Sequence, residues 1–558
     1  MRAVDAVMEC LKAEGVKHVF GIPGGANLPT YDALYDAGLR HVQCRHEQGA
    51  GHAAEGYAKA SGQVGVALAT SGPGATNLVT AIADAMMDSV PTVFITGQVR
   101  TDLLGTDGFQ EADVTGITMP IVKHSIMIQD PLEIPEAIHE AFHIARTGRP
   151  GPVLVDIPQD LSRAEIPYEP VDSVHLPGYQ PTKEGNTKQI RLAAKALANA
   201  RRPVIYAGGG VVNANASAEL VELAMSDRFP VTCTLMGLGA FPAPHDQWLG
   251  MLGMHGTRSA NYAMDEADLI CCVGARFDDR ITGKLSEFAP RAKFIHIDVD
   301  PAEISKNVPA HIPIVGDAKQ ILPKLCAEYR ALDTDSARLD GWWERVRGWQ
   351  EKHPLGYEDS EGSEIKPQYM IEALYEATGG DAIVTSDVGQ HQMWAAQYFH
   401  FDAPRKWINS GGLGTMGFGL PSAMGAKVAM PDEQVVCVAG DGSIIMNVQE
   451  LATCVTESIA VKVFIMNNGY LGMVRQWQEL FWDGRYSAVD MGSSPDWVKL
   501  AEAFGAIGVR VDDKAELPAV MKKVLEAEGP VVCDVRVTPE ENCYPMIPAG
   551  QAARDMVG

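Results

Sequence analysis

Residues 434–442 read QVVCVAGDG and residues 461–468 read VKVFIMNN. Each is a short apolar run closed by small or polar residues, the pattern of a strand buried on both faces. Residues 448–458 between them have helical spacing and predict a crossover helix. A strand–helix–strand unit of this length makes the two strands parallel and brings both carboxyl ends to one edge of the sheet. Asp441 and Asn468 then stand side by side where parallel sheets bind ligands. One carboxylate and one amide oxygen, with Gly442 and Ser443 permitting close approach, suit a Mg²⁺ ion that takes its remaining ligands from a diphosphate. Gly and Asn turns are common, and the feature that singles out this pair is that each follows directly on a β run.

Further strand-like runs lie at 64–70, 92–97, 153–157, 204–208, 269–274, 294–298, 382–387 and 531–537, most of them separated by helical stretches. This alternation predicts an α/β chain of open, doubly wound parallel sheets with helices on both faces. Two polar stretches interrupt it, a proline-punctuated one at 164–186 and a charged, Trp-bearing one at 333–366, and both read as linkers. The implied units are 1–165, 187–335 and 366–540, with a tail at 541–558. The first and third would share a fold without visible sequence repetition.

The composition is that of a large globular chain: 558 residues, 46% apolar and 21% charged. A net charge of −25 argues against nucleic acid or an anionic membrane as partner. No apolar run reaches spanning length. The ten Cys form no CxxC pairs and read as buried, reduced thiols of a reducing compartment. A helical pattern within the first residues leaves no signal or transit peptide to read, which predicts a cytoplasmic protein.

GDG followed at this distance by NN is the signature of thiamine-diphosphate enzymes. Five further words, RHEQGAGHAAEG (45–56), TSGPGATN (70–77), RFDDRITGK (276–284), GMVRQW (472–477) and YPMIPAG (544–550), resemble the catalytic large subunit of the acetohydroxyacid (acetolactate) synthase family. The similarity runs along the whole chain. It implies three doubly wound domains: pyrimidine-binding, central FAD-binding and diphosphate-binding. It also implies thiamine diphosphate, Mg²⁺ and a structural FAD as cofactors. The implied reaction joins pyruvate, with loss of CO₂, to a second pyruvate or to 2-ketobutyrate, in branched-chain amino-acid biosynthesis. A homodimer or tetramer with sites at the subunit interface follows, and the family often carries a small regulatory subunit.

The resemblance also assigns residues. Glu47, in the RHE word, matches the carboxylate that activates the aminopyrimidine, supplied by one subunit to the diphosphate site of another. By position alone it reads first as an acidic residue of a first helical turn, stabilising the helix dipole, and the resemblance reverses that order. Gly389, Gln390, His391, Gly414, Met416, Gly442, Ser443, Leu471, Gly472 and Met473 match contacts to thiamine diphosphate, Met416 being the apolar support of the bent cofactor. Asp441, Asn468 and the carbonyl of Tyr470 match the metal ligands. Phe109 and Gln110 match residues facing the reacting carbons, and Trp477 matches the wall of the acceptor pocket.

In the middle unit, Gly208, Gly209 and Gly210 follow a strand and precede a helix as a phosphate loop does, without completing GxGxxG. With them, Thr234, Leu235, Met236, Leu252, Gly253, Met254, His255, Arg276, Asp278, Arg280, Asp298, Val299, Asp317 and Ala318 match the family's FAD positions. Two positions depart from the family: Gln159 where Lys is usual, and Arg100 where Pro is usual, which leaves the substrate range open. Glyoxylate carboligase and an FAD-dependent pyruvate oxidase are the alternatives. The first resembles the chain broadly but lacks the activating glutamate.

Overall fold

The structure, a computed structural model, describes residues 1–558 apart from 172, 493 and 494. Among them are three six-stranded sheets in which every strand pairing is parallel. The first holds β1 (His18–Gly21), β2 (Arg40–Gln43), β3 (Gly65–Ala69), β4 (Thr92–Gln98), β5 (His124–Met127) and β6 (Pro152–Pro158), in the order β2-β1-β3-β4-β6-β5. The second holds β7 (Pro203–Ala207), β8 (Val231–Cys233), β9 (Trp248–Met251), β10 (Leu269–Val273), β11 (Lys293–Asp298) and β12 (Ile312–Val315), ordered β12-β11-β10-β7-β8-β9. The third holds β13 (Ile383–Ser386), β14 (Trp407–Ile408), β15 (Val435–Gly440), β16 (Lys462–Asn467), β17 (Ile507–Val511) and β18 (Val531–Arg536), ordered β14-β13-β15-β16-β18-β17.

Counted within each unit, the first and third sheets have the same order, so the two end units share a fold. The middle sheet has the order of a dinucleotide-binding doubly wound fold, whose switch point lies between its first and fourth strands, β7 and β10. The end units are fused along the helices Glu47–Ser61 and Gly419–Ala429. A β-carbon on Gly56 would run into the backbone of Ser422, and one on Gly425 into that of Ala53. The two helices therefore touch backbone to backbone, and one apolar core runs from Phe20 and Ala54 through Ala423 to Val463.

The stretch 333–366 is not simply a linker. Its helix Asp340–Lys352 buries Trp342 and Trp343 in the middle core, where their indole N–H groups donate to Pro203 O (3.1 Å) and Arg228 O (2.8 Å). High charge masked the apolar stripe of this helix. All ten cysteines are buried and free, as expected.

Candidate functional site

The register of the third sheet pairs Gly440 with Met466, so the chain leaves β15 at Asp441 and β16 at Asn467–Asn468 on one edge. Asn468 Oδ1 accepts the Tyr470 amide at 3.1 Å, which closes the turn. Gly472 opens the helix Gly472–Phe481, and any β-carbon there would collide with Gln390 Oε1 and approach Asn468 Nδ2 at 2.6 Å. Glycine at 472 therefore keeps these groups together. Gln390 donates to Gln476 Oε1 (2.8 Å) and Glu541 O (3.0 Å), while its own oxygen is buried without a protein partner. Next to it, His391 packs against Gly440, and its Nε2 is likewise buried and unpartnered. Burial lowers the His391 pKa to about 3, so the ring is neutral. Ser443 turns back to exchange hydrogen bonds with Gly440, and Gly442 is packed under Leu471.

Carboxylate, amide and carbonyl oxygens at one strand edge are hard donors of the kind Mg²⁺ takes. Buried, unsatisfied polar atoms beside them are what a polar ligand would satisfy. The residues present fit a metal–diphosphate group.

A second cluster stands at the carboxyl edge of the first sheet. Glu47 opens the helix Glu47–Ser61 behind His46, whose ring nitrogen caps the Gln48 amide at 3.1 Å. Asn77 donates to Glu47 Oε2 at 2.9 Å, and the Gly74 β-position lies 3.3 Å from Glu47 Oε1. Gly72, at φ +59°, leaves room for the backbone of Gln110, itself at φ +59°. Glu111 staples this loop by accepting the amides of Gly105 and Gly108. The neighbouring Phe109 is 89% exposed.

The third feature is a cavity of about 960 Å³ walled by all three units. Every flavin position expected from the sequence lines it except Gly253, at φ +99°, whose backbone is turned to Asn261 instead. Gly208 and Gly210 are glycines because β-carbons there would strike Gly274, so the loop lies close against the end of β10. Asp278 caps the following turn and pairs with Arg276 at 2.6 Å, Arg280 pairs with Asp279 at 3.1 Å, and Asp317 caps the helix Ala318–Arg330. Burial pushes Asp298 up to about 6. Thr234 Oγ1 and His255 Nε2 are buried without partners. This volume and lining fit a dinucleotide. The tail closes over the same loop, with Ile547 N donating to Met254 O at 2.8 Å.

Gly389, Gly414, Met473 and Trp477 line this cavity too, so it opens onto the third sheet's ligand edge. Glu47, Phe109 and Gln110 do not line it, nor do Asp441, Asn468, Tyr470, Gln390, His391, Met416, Gly442, Ser443, Leu471 or Gly472. Met416 is half-buried in the glycine-rich loop.

Several polar residues at the site were not singled out in the sequence. Asp387 accepts the amides of Val388 (3.0 Å) and Gly417 (2.7 Å), tying the Gly389 turn to the Met416 loop; burial raises it to about 6. Asp88 accepts Gly411 N (3.1 Å) and Gly412 N (2.6 Å), and Lys59 bridges Asp88 (2.7 Å) to Asn409 O (2.5 Å). Asp387 ends the strand-like run at 382–387; Asp88 and Lys59 sit in the helices Val79–Asp88 and Glu47–Ser61, with no local signal of this role. Gln159 donates to Gly25 O at 2.8 Å, and Arg100 is exposed against Asp102.

The chain matches three family models: the N-terminal TPP binding domain of thiamine pyrophosphate enzymes over residues 1–117, their central domain over 190–325, and their C-terminal TPP binding domain over 387–535. It is 51% identical to an acetolactate synthase of Mycobacterium bovis, across 99% of this chain and 92% of that protein. It is 50% identical to the acetolactate synthase isozyme 3 large subunit of Escherichia coli (98% and 96%), and 49% to the large subunit of Corynebacterium glutamicum (100% and 90%). The chain belongs to the acetolactate synthase large subunits. As a family member it is a thiamine-diphosphate-dependent enzyme, and its relatives favour the synthase reading over the carboligase and oxidase alternatives.

Proposed function

We propose that the chain is an acetolactate synthase of branched-chain amino-acid biosynthesis. Pyruvate loses CO₂ and its two-carbon remainder is joined to the carbonyl of a second 2-keto acid. A second pyruvate gives 2-acetolactate, and 2-ketobutyrate gives 2-aceto-2-hydroxybutyrate. The observation that carries this reading is the similarity to acetolactate synthase large subunits over virtually the entire chain.

Thiamine diphosphate, when bound, supplies the nucleophilic carbon and the electron sink for decarboxylation. The protein supplies placement and proton handling. Asp441, Asn468 and the Tyr470 carbonyl would hold Mg²⁺, and Gln390 and His391 would face the diphosphate beside Gly442, Ser443, Leu471, Gly472 and Met473. Glu47, held by Asn77, would exchange a proton with the pyrimidine ring. Gly414 and Met416 would support the cofactor, Phe109 and Gln110 would face the reacting carbons, and Trp477 would wall the acceptor pocket. FAD would fill the middle cavity as a structural group.

Phe109, 89% exposed beside the Glu47 cluster although it is expected to face the reacting carbons, supports a site completed by a second chain, hence a homodimer or a larger assembly. A small regulatory subunit and a cytoplasmic location complete the reading. Among the described residues no helix is long and apolar enough to cross a membrane. The unit limits we propose are 1–165, 187–335 with the helix Asp340–Lys352 added, and 366–540 with its tail.

The purified protein, given Mg²⁺ and both cofactors, tests the reaction. Pyruvate should yield acetolactate, and a mixture with 2-ketobutyrate should yield acetohydroxybutyrate as well. Acetate or acetyl phosphate from pyruvate would point to an oxidase. Tartronate semialdehyde from glyoxylate, without acetolactate from pyruvate, would point to the carboligase.

A further inference from the structure

Glu450, the first residue of the helix Glu450–Thr456, has a fully buried side chain that belongs to none of the clusters above. It follows the Asp441 turn in sequence but points into the first unit. Its Oε1 accepts the Arg45 amide at 3.1 Å and the His46 amide at 3.0 Å; Oε2 lies 3.2 Å from Arg45 N and accepts Thr453 Oγ1 at 2.7 Å. These amides belong to the two residues immediately before Glu47. Gly49, one turn into the same helix, has no β-carbon, and one placed there would overlap the Glu450 carboxylate. The rest of the helix runs along the same segment, with Arg45 reaching Thr456 Oγ1 at 3.1 Å.

We propose that Glu450 is a positioning residue for Glu47, fixing from the third unit the backbone that aims the Glu47 carboxylate. This rests on the reading of Glu47 as the group that exchanges a proton with the cofactor. Two N–H groups in succession converge on one carboxylate oxygen, so the direction in which the helix starts is set by a charge outside it. Burial raises Glu450 to about 6, while the hydroxyl of Thr453 and the two amides pull the other way. A carboxylate kept in a dry place by backbone donors is a fixed fulcrum. It also makes the placement of Glu47 depend on the segment that begins with the metal turn of the same chain.

The test compares Glu450→Ala, Glu450→Gln and Glu47→Gln as full-length protein loaded with thiamine diphosphate, Mg²⁺ and FAD. One readout is deuterium exchange at the cofactor C2, followed by NMR. The other is backbone amide exchange of residues 44–50, followed by mass spectrometry with and without cofactors. Glu450→Ala should slow C2 exchange about 100-fold, as a small misplacement of a reacting group does, and should expose the Arg45 and His46 amides. Glu450→Gln keeps Oε1 for both amides and should slow C2 exchange about tenfold, near the value of one hydrogen bond. The KM for pyruvate should move little while kcat falls in the same order.

Wild-type C2 exchange in Glu450→Ala beside slowed exchange in Glu47→Gln overturns the positioning role alone. Normal exchange in Glu47→Gln overturns the underlying reading of Glu47. Unchanged amide protection in Glu450→Ala also overturns the proposal. If the Ala variant does not fold, the Gln variant decides, and a wild-type C2 rate there overturns the proposal.

Discussion

The side-chain amide of Asn77 donates to Glu47 Oε2 at 2.9 Å across a 30-residue separation in sequence. This bond ties the RHE word to the TSGPGATN word at the edge of the first sheet. It gives the carboxylate one fixed oxygen and leaves the other, Oε1, beside Gly74. Asn77→Leu keeps the volume and removes the donor. A hydrogen bond to a charged group contributes about 1.5–3 kcal/mol, so kcat should fall by roughly 10- to 100-fold. Steady-state kinetics check this, and an unchanged kcat means that Asn77 does not orient Glu47.

The turn proposed to hold Mg²⁺ lies on the third sheet, whereas the positions proposed to hold FAD lie on the second. Asp441→Ala should therefore lose thiamine-diphosphate retention while FAD stays bound. Cofactor release after gel filtration, read as flavin absorbance and as thiamine fluorescence, separates the two. Loss of both together would mean that Asp441 supports the fold rather than the metal.

Trp477 lines the large cavity and is half-buried there, with its indole N–H unpartnered. Its rigid ring is suited to sense the alkyl group of the acceptor. One methylene in a fitted apolar pocket is worth about 1–3 kcal/mol, or 10- to 200-fold. The wild type should favour 2-ketobutyrate over pyruvate as acceptor, and Trp477→Leu should shrink that preference with less effect on the pyruvate-only reaction. The ratio of acetohydroxybutyrate to acetolactate from mixed keto acids measures it, and an unchanged ratio makes Trp477 a packing residue.

Asp156 at the end of the first sheet accepts Thr96 Oγ1 (2.6 Å) and Gln98 Nε2 (2.9 Å), and Gln98 also holds Ala112 O beside the Phe109 loop. Burial raises Asp156 from 3.8 to about 7. The folded state therefore binds this proton more tightly than the unfolded state. The group costs no stability below about pH 4, progressively more as pH rises, and its full penalty above about pH 7. Asp156→Asn should flatten the fall in thermal midpoint over that window. A parallel fall in both proteins would show that Asp156 does not carry it.

The sequence was most legible at the centre of each sheet. The runs at 64–70, 92–97 and 153–157 became β3, β4 and β6, three neighbours buried on both faces. The edge strands β2, β5, β12 and β17 were not read: β2, β5 and β17 are partly open to solvent and mix Arg, His or Ser among their apolar residues, and β12 is a half-buried run of four residues interrupted by Pro313. Strands β8 and β14 are buried but only three and two residues long, below what periodicity can detect. The positions expected to line the middle cavity were recognisable as words because they fall in short runs on loops at strand ends. Glu450, Asp88 and Lys59 were not, since their partners are backbone groups hundreds of residues away, and nothing local distinguishes them from a helical surface.

In the proposed dimer the Glu47 cluster and the Asp441 cluster of one chain serve two different sites. Co-expression of Glu47→Gln and Asp441→Ala chains with different tags, followed by purification on both tags, gives the hybrid dimer. Each parent should be inactive. In the hybrid, one site would carry both defects and the other neither, so it should form acetolactate at about half the wild-type rate per dimer. A hybrid as inactive as its parents would show that Glu47 and Asp441 of the same chain act together, and would contradict the account.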